Sequence, residues 1–132
     1  MLENRPVDPN PHRQRPPTAT SLMLGCLLGL VALNAVMVGA AFANIEPHPD
    51  ADVVPFIAAT AAIGIIALPL VRSGDRLGYY LGVLFAVVSM IGMGPHKLFL
   101  ENGTTVAPVA IVGFLAELAL IGTAVRELRA HR

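Results

Sequence analysis

Glu117 is the residue whose chemistry most needs an explanation, because it is an acid inside a long apolar run. The run covers residues 105–125, and Arg126 follows it. If this run is a membrane-spanning helix, a rise of 1.5 Å per residue places Glu117 roughly 13 Å from Arg126, close to mid-membrane. A carboxylate at that depth costs about 2.5–3.5 kcal/mol on insertion, so such residues usually face the bundle interior and serve a function.

Two roles for the Glu117 carboxyl are open at this point. No Lys, Arg or His lies within the apolar runs, so no ion-pair partner is available there and we expect a neutral carboxyl. In the first role, which we favour, the protonated acid is a structural link that donates a hydrogen bond to a neighbouring polar group. In the second role, it couples protons or cations to transport and must change charge near the working pH.

Three polar side chains occur at a common depth in the other apolar runs. At the same rise per residue they lie about 18–20 Å from the inner boundary, just outward of Glu117. They are Asn34, Thr60 and Ser89. The spacing predicts a polar layer beside Glu117, and these four residues are the candidate functional intramembrane residues.

The elements that must position these side chains are four apolar runs. They cover residues 21–43, 53–71, 77–94 and 105–125. A helix of about 18–23 residues can cross a hydrocarbon core roughly 30 Å thick. Because the runs lack the polar face of a soluble helix, they predict an all-α membrane protein, an antiparallel bundle of four transmembrane helices. Residues 1–17, rich in Pro and Arg, are predicted to form a disordered cytoplasmic tail before the transmembrane domain, residues 18–132.

The distribution of basic residues predicts the orientation of the bundle. The chain has 55% hydrophobic and 14% charged residues and a net charge of zero. With four spans, one side carries eight arginines, whereas the other carries only Lys97. Since basic residues stay preferentially in the cytoplasm, both termini are predicted to be cytoplasmic in a multi-pass protein of the plasma membrane.

The first apolar run also has features of a signal peptide. Arginines precede it, and Ala41-Phe42-Ala43 fits the small-residue pattern of a cleavage site. The run is longer than the apolar region of about 7–15 residues that signal peptides carry, so we expect it to be retained. Cleavage after Ala43 would leave three spans.

Glycines at a spacing of four suggest where helices pack closely. In the third run these are Gly78 and Gly82, and in the first run Gly25 and Gly29. Small residues let helix backbones approach in lipid, where no hydrophobic force holds helices together. For Gly25 and Gly29 we expect packing within the chain, with a homodimer contact as the alternative.

The sequence predicts no cofactor and no metal. Cys26 is the only cysteine, so no disulfide can form within the chain. His48 and His96 both fall in predicted outer loops near acidic residues, and a metal site with nitrogen and oxygen ligands is conceivable. Their spacing matches no standard metal motif, so we do not predict one.

No pattern in the chain indicates catalysis or binding to nucleic acid. There is no Gly-rich phosphate loop or nucleophile elbow, and the basic residues are dispersed. The predicted partners are therefore the lipid bilayer and a second copy or another membrane protein. We expect an accessory or structural membrane subunit. The alternative is a small proton-coupled transporter that uses Glu117, and an enzyme acting on lipid or quinone is a third possibility.

Overall fold

The chain folds into a ring of four α-helices. The structure is a computed structural model and describes residues 17–46, 48–93, 99 and 103–130. The helices are α1 (Pro17–Ala43), α2 (Val54–Ser73), α3 (Arg76–Met93) and α4 (Gly103–Ala130). Helices that follow one another in the chain pack against each other, and α1 packs against α4 to close the ring. The predicted all-α four-helix bundle is confirmed.

In the described part of the chain, three helices are long and apolar enough to cross a membrane. They correspond to Ala19–Ala43, Val54–Ser73 and Ala107–Ala130, with mean hydropathies of 2.3, 2.3 and 2.0. The apolar stretch of α3, Arg76–Gly92, is shorter. All 18 residues of α3 span about 27 Å at 1.5 Å per residue, slightly less than a hydrocarbon core. Four membrane-length runs were predicted, and three helices meet that length.

The outward faces of the helices are as apolar as the faces that meet inside the bundle. Val36, Ile66 and Val112 are 67%, 57% and 67% exposed. Soluble monomers rarely expose this many large apolar side chains together. Lipid is therefore the solvent that fits this surface, and the chain is a multi-pass membrane protein.

A tight turn makes α2 and α3 antiparallel neighbours, as the sequence predicts. Gly74 ends α2 with a left-handed φ of 75°, and its N–H donates to the Val71 carbonyl oxygen at 3.0 Å. The Asp75 N–H donates to the Leu70 carbonyl oxygen at 2.9 Å. The Asp75 carboxylate then accepts the Leu77 N–H at 2.9 Å and so caps the start of α3.

The core is built in apolar layers around glycines. In the middle layer, a Cβ at Gly64 of α2 would lie 2.9 Å from Phe85 Cε2 and closer still to the Val31 side chain, so side chains of α1 and α3 pack directly on the α2 backbone there. In the layer nearer the start of α1, Gly82 of α3 faces Met23 and Leu120. Fully or nearly fully buried apolar side chains fill the rest of the interior, including Leu27, Leu30, Ala67, Val71, Tyr79, Ala86 and Ala124.

Helix boundaries differ from the predicted runs mainly at the two ends of the chain. The predicted tail lies outside the described residues except for Pro17, which begins α1. α4 continues past residue 125 to Ala130, so Arg126 and Arg129 lie on its last turns. Basic side chains there interact favourably with the carbonyl end of a helix.

Candidate functional site: a buried polar layer

The Glu117 carboxyl is buried in the bundle without a hydrogen-bond partner. The residue is 0% exposed, and neither Oε1 nor Oε2 bonds to any group that the structure describes. Buried side-chain polar atoms nearly always have a partner, and leaving one without a partner costs about 1–3 kcal/mol. A fully buried acid of this kind is a position where water, an ion or a functional proton is expected.

Ser89 on α3 is the polar side chain that lies beside this carboxyl. It is 3% exposed, and its Oγ also lacks a hydrogen bond to any described group. The two side chains are thus neighbours across the α3–α4 contact and close enough to interact, although no hydrogen bond of standard geometry joins them. Because a hydroxyl can both donate and accept, Ser89 has its full bonding capacity available.

Asn34 on α1 and Thr60 on α2 bond to the backbones of their own helices. Asn34 Nδ2 donates to the Leu30 carbonyl oxygen at 2.8 Å, and Thr60 Oγ1 donates to the Phe56 carbonyl oxygen at 2.8 Å. Both residues are buried. The Thr60 hydroxyl has used its only proton and keeps lone pairs that can accept, while the Asn34 amide retains further donors and acceptors.

A small cavity joins the three polar side chains of α1, α2 and α3. Its volume is about 10 Å³. It is lined by Asn34, Met37, Phe56, Ile57, Thr60, Ser89 and Gly92. The structure therefore brings together Asn34, Thr60 and Ser89, and Glu117 adjoins this group through Ser89.

The cavity lies toward the end of the bundle formed by Ala43 and Met93, which we call the outer end. At 1.5 Å per residue, Ser89 is about 6 Å from Met93 along α3, and Thr60 is about 9 Å from the start of α2. Glu117 adjoins Ser89, so the polar groups follow one another from the cavity through Ser89 to Glu117.

The four glycines predicted to mediate packing fall into two groups. A Cβ at Gly78 would lie 2.5 Å from the Val71 backbone nitrogen, and one at Gly82 would lie 3.1 Å from Met23 Cε. By contrast, Gly25 and Gly29 are exposed and have open space within 4 Å of a Cβ. The packing within the chain that we expected of Gly25 and Gly29 therefore has no counterpart among the described contacts.

Gly25 and Gly29 instead line an apolar groove between α1 and α4, the α1–α4 groove. Its volume is about 760 Å³. Its walls are Ser21, Leu22, Gly25, Cys26, Gly29, Leu30 and Leu33 of α1 and Pro108, Val109, Val112, Gly113 and Ala116 of α4. The free thiol of Cys26 thus lies along this groove.

Gly64 was not among the predicted packing residues, although it is the tightest point between α1, α2 and α3. A signal for it exists in the sequence. Thr60, Gly64, Ala67 and Val71 follow one another at steps of four, three and four, and all four are buried. This is the spacing of one helix face.

His48 forms local contacts in the loop after α1. Its Nδ1 lies 3.0 Å from the Pro49 carbonyl oxygen, and its Nε2 lies 3.4 Å from Glu46 Oε1. His96, the other residue of the conceivable metal site, lies outside the described residues. Across residues 17–46, 48–93, 99 and 103–130, no group of three or more His, Cys, Asp or Glu side chains could hold a metal ion.

Comparison of the chain with protein-family models, with curated proteins and with solved structures finds no match in any of the three. The chain is a small multi-pass membrane protein by the length and hydropathy of its helices. Its function must therefore be argued from the polar layer and the α1–α4 groove themselves.

Proposed function

We propose that this protein is a small proton-coupled transporter of the cell membrane, in which Glu117 binds and releases the coupled proton. The observation that carries this proposal is the carboxyl itself, which is fully buried with both oxygens unpaired. An acid in the interior of a membrane bundle is expensive and marks proton or ion pathways more often than it serves packing.

The structural role that the sequence first favoured needs a hydrogen bond from a protonated Glu117 to a nearby acceptor. Ser89 is the neighbouring acceptor, but no hydrogen bond of standard geometry joins it to the acid. An apolar side chain of similar volume would fill the same space without an unpaired polar group. Packing therefore does not explain an acid at this position, whereas proton binding does.

A titration of the carboxyl band tests the proposal directly. The infrared carboxyl stretch of the wild type in liposomes, minus that of Glu117→Gln, isolates the Glu117 band. Its intensity should change with pH between about 5 and 9, because a coupling acid must change charge near its working pH. Glu46→Gln, which removes an exposed carboxyl of the loop after α1, is the matched control. A Glu117 band that stays constant over this range would contradict the transport function.

We propose further that all four helices span the membrane with both termini in the cytoplasm. α3 is slightly short, but a bilayer accommodates a short span by local thinning, and Arg76 at its first turn can extend to the interface. The tight Gly74–Asp75 turn holds α3 alongside α2 over its length. Eight of the nine basic residues then lie on the cytoplasmic side.

Labelling of introduced cysteines tests this topology. In a Cys26→Ala background, Asn102→Cys should react with an impermeant maleimide applied to intact cells, and Ser73→Cys should react only after lysis. Reaction of both positions from outside would exclude this arrangement.

The α1–α4 groove supports a second candidate function, that of an accessory subunit. An exposed pair of glycines on a membrane-facing helix permits close approach of another helix. If that helix belongs to a second copy, the two Cys26 thiols come near each other. A short bifunctional maleimide should then cross-link the wild type into dimers in native membranes but leave Cys26→Ala monomeric.

A further inference from the structure

We propose that the cavity lined by Asn34, Thr60 and Ser89 binds a single water molecule, which with the Ser89 hydroxyl forms a proton relay between the outer end of the bundle and Glu117. This inference rests on the proposed function of Glu117 and specifies the route by which its proton enters and leaves.

The size of the cavity selects the ligand. A buried water needs about 10–15 Å³ of cavity volume measured with a water-sized sphere, and this cavity has about 10 Å³. It therefore accepts one water and excludes a hydrated cation. A cavity of this volume with apolar walls alone would stay dry, so its polar walls decide whether it is occupied.

The polar walls offer such a water the two to four partners that a buried water requires. Thr60 Oγ1 has donated its proton to the Phe56 carbonyl oxygen and can only accept from the water. Ser89 Oγ is buried and unpaired, so it can donate to the water or accept from it. Asn34 contributes a third polar side chain on the opposite wall.

Ser89 connects this water to Glu117 because it borders both. It lines the cavity and lies beside the carboxyl. In the protonation step, an excess proton on the water forms a bond to Ser89 Oγ while the original Ser89 proton passes to a Glu117 carboxylate oxygen. Ser89 ends neutral with its O–H reversed, the water ends neutral, and Glu117 has gained one proton. The reverse sequence releases it.

In this conformation the relay reaches Glu117 from the outer end. On the inner side of the polar layer, α1, α2 and α3 meet so closely that a single methyl at Gly64 would collide with Phe85 and Val31. On the outer side the cavity is bounded by the flexible side chain of Met37 and by Phe56, with Gly92 near it. Met37 and Phe56 are therefore the side chains that must move for the outer route to open.

No other titratable group faces the cavity among the residues that line it. Glu117 is the only carboxylic acid among the buried polar residues of the described chain. Tyr79, also buried on α3, lies about 15 Å from Ser89 along the helix axis, near the opposite end of the bundle. A change in proton exchange caused by altering the cavity can therefore be assigned to Glu117.

Hydrogen–deuterium exchange of the Glu117 carboxyl tests the relay. The infrared band of the protonated acid shifts when the protein in liposomes is moved into D₂O, and the band is identified by its loss in Glu117→Gln. Ser89→Ala should slow this exchange by about a hundredfold or more, the scale on which a positioned proton donor or acceptor acts. Thr60→Val should slow it in the same direction, because it removes a partner of the water.

Thr123→Val is the matched control for Thr60→Val. The Thr123 hydroxyl makes the same bond to the carbonyl oxygen four residues earlier, that of Ala119 at 2.7 Å, but it does not line the cavity. The Glu117 carboxyl should therefore exchange at the same rate in Thr123→Val as in the wild type. Equal slowing in Thr60→Val and Thr123→Val, or no slowing in Ser89→Ala, would overturn the relay.

The failure of the relay and the failure of the transport function give different results. If Glu117 never titrates but Ser89→Ala still slows its exchange, the relay stands and the transport function falls. If Glu117 titrates at the same rate in Ser89→Ala, the relay falls alone. If Glu117 carries no proton, the O–D stretch of the internal water tests the water site instead. A water band that changes in both Thr60→Val and Ser89→Ala supports the site. A water band that is the same in the wild type and in both variants overturns it.

Discussion

The α2–α3 and α1–α4 contacts carry similar glycines but use them differently. At the α2–α3 contact, a Cβ at Gly78 would collide with backbone atoms of Val71 and Leu70 at 2.5 and 2.6 Å. At the α1–α4 contact, Gly25 and Gly29 face open space. A small residue every four positions therefore permits close approach of two helices but does not by itself bring a neighbour to that face.

The connection between the helices accounts for the difference. Only Gly74 and Asp75 separate α2 from α3, and their backbone bonds hold the two helix ends together. α1 and α4 are the first and last helices of the chain and are not directly linked. The α2–α3 side is consequently the tightly packed part of the ring, and the α1–α4 side carries the groove.

The largest effect is expected for Gly78→Ala. The new Cβ would meet the Val71 nitrogen and the Leu70 carbonyl carbon, which cannot rotate away as a side chain could. The free energy of unfolding should fall by about 3 kcal/mol, at the upper end of the cost of overpacking. Thermal unfolding in detergent measures this, with Gly39→Ala on an open stretch of α1 as the control. Equal melting temperatures would mean that the two interfaces do not differ.

Gly64→Ala should destabilise the bundle by a smaller amount, about 1–3 kcal/mol. Here the obstructing atoms belong to the side chains of Phe85 and Val31, which can adjust in part. A second substitution, Val31→Ala, removes one obstruction and should recover part of the loss. The double-mutant cycle measures this coupling. Strictly additive effects of the two substitutions would show that the Val31 side chain does not pack on Gly64.

Glu117→Leu should raise stability, although it removes a buried residue. The α3–α4 contact is held by packing around an unpaired acid, so replacing the acid by an apolar side chain relieves about 1 kcal/mol or more. Glu117→Gln keeps an unpaired polar group and should change stability less. A loss of stability in Glu117→Leu would show instead that the acid makes a stabilising bond, which is the structural role.

A milder effect is expected at the point where α1, α3 and α4 meet. A Cβ at Gly82 would lie 3.1 Å from Met23 Cε and 3.9 Å from Leu120 Cδ1. The end of a methionine side chain moves easily, so Gly82→Ala should cost less than about 1 kcal/mol. If the melting temperature of Gly82→Ala lies between those of Gly64→Ala and Gly39→Ala, packing loosens gradually from the tight to the open side of the ring.

The sequence predicts the four helices and suggests the grouping of three polar residues, because both depend on position along a helix. Apolar run length and rise per residue put Asn34, Thr60 and Ser89 at one level, and these residues line one cavity. The same reasoning cannot say which helix faces which, since apolar residues cover both the inner and the outer faces here. That is why Gly64 was missed.

The expectation for Gly25 and Gly29 differs from the structure for a related reason. In a soluble helix, polar residues mark the exposed face, and the opposite face can be assigned to the core. In a membrane helix this mark is absent, so a glycine pair can face either a neighbour or lipid. The pairing of Ser89 with Glu117 was likewise not predictable, because it depends on which faces of α3 and α4 meet.

The smallest effect on the single chain is expected for Gly29→Leu in the α1–α4 groove. No atom lies within 4 Å of the new Cβ, and leucine favours helix more than glycine does, so stability should stay within about 0.5 kcal/mol of the wild type or rise slightly. Gly39→Leu is the matched control, since Gly39 has the same open surroundings on α1 but does not line the groove. The informative measurement is made in native membranes, where any second copy or partner helix is present. If Gly29→Leu alone lowers the yield of Cys26 cross-linked dimer, another copy of the chain packs against the groove. If both variants behave as the wild type does, the groove faces lipid, and the open side of the ring is a feature of the monomer.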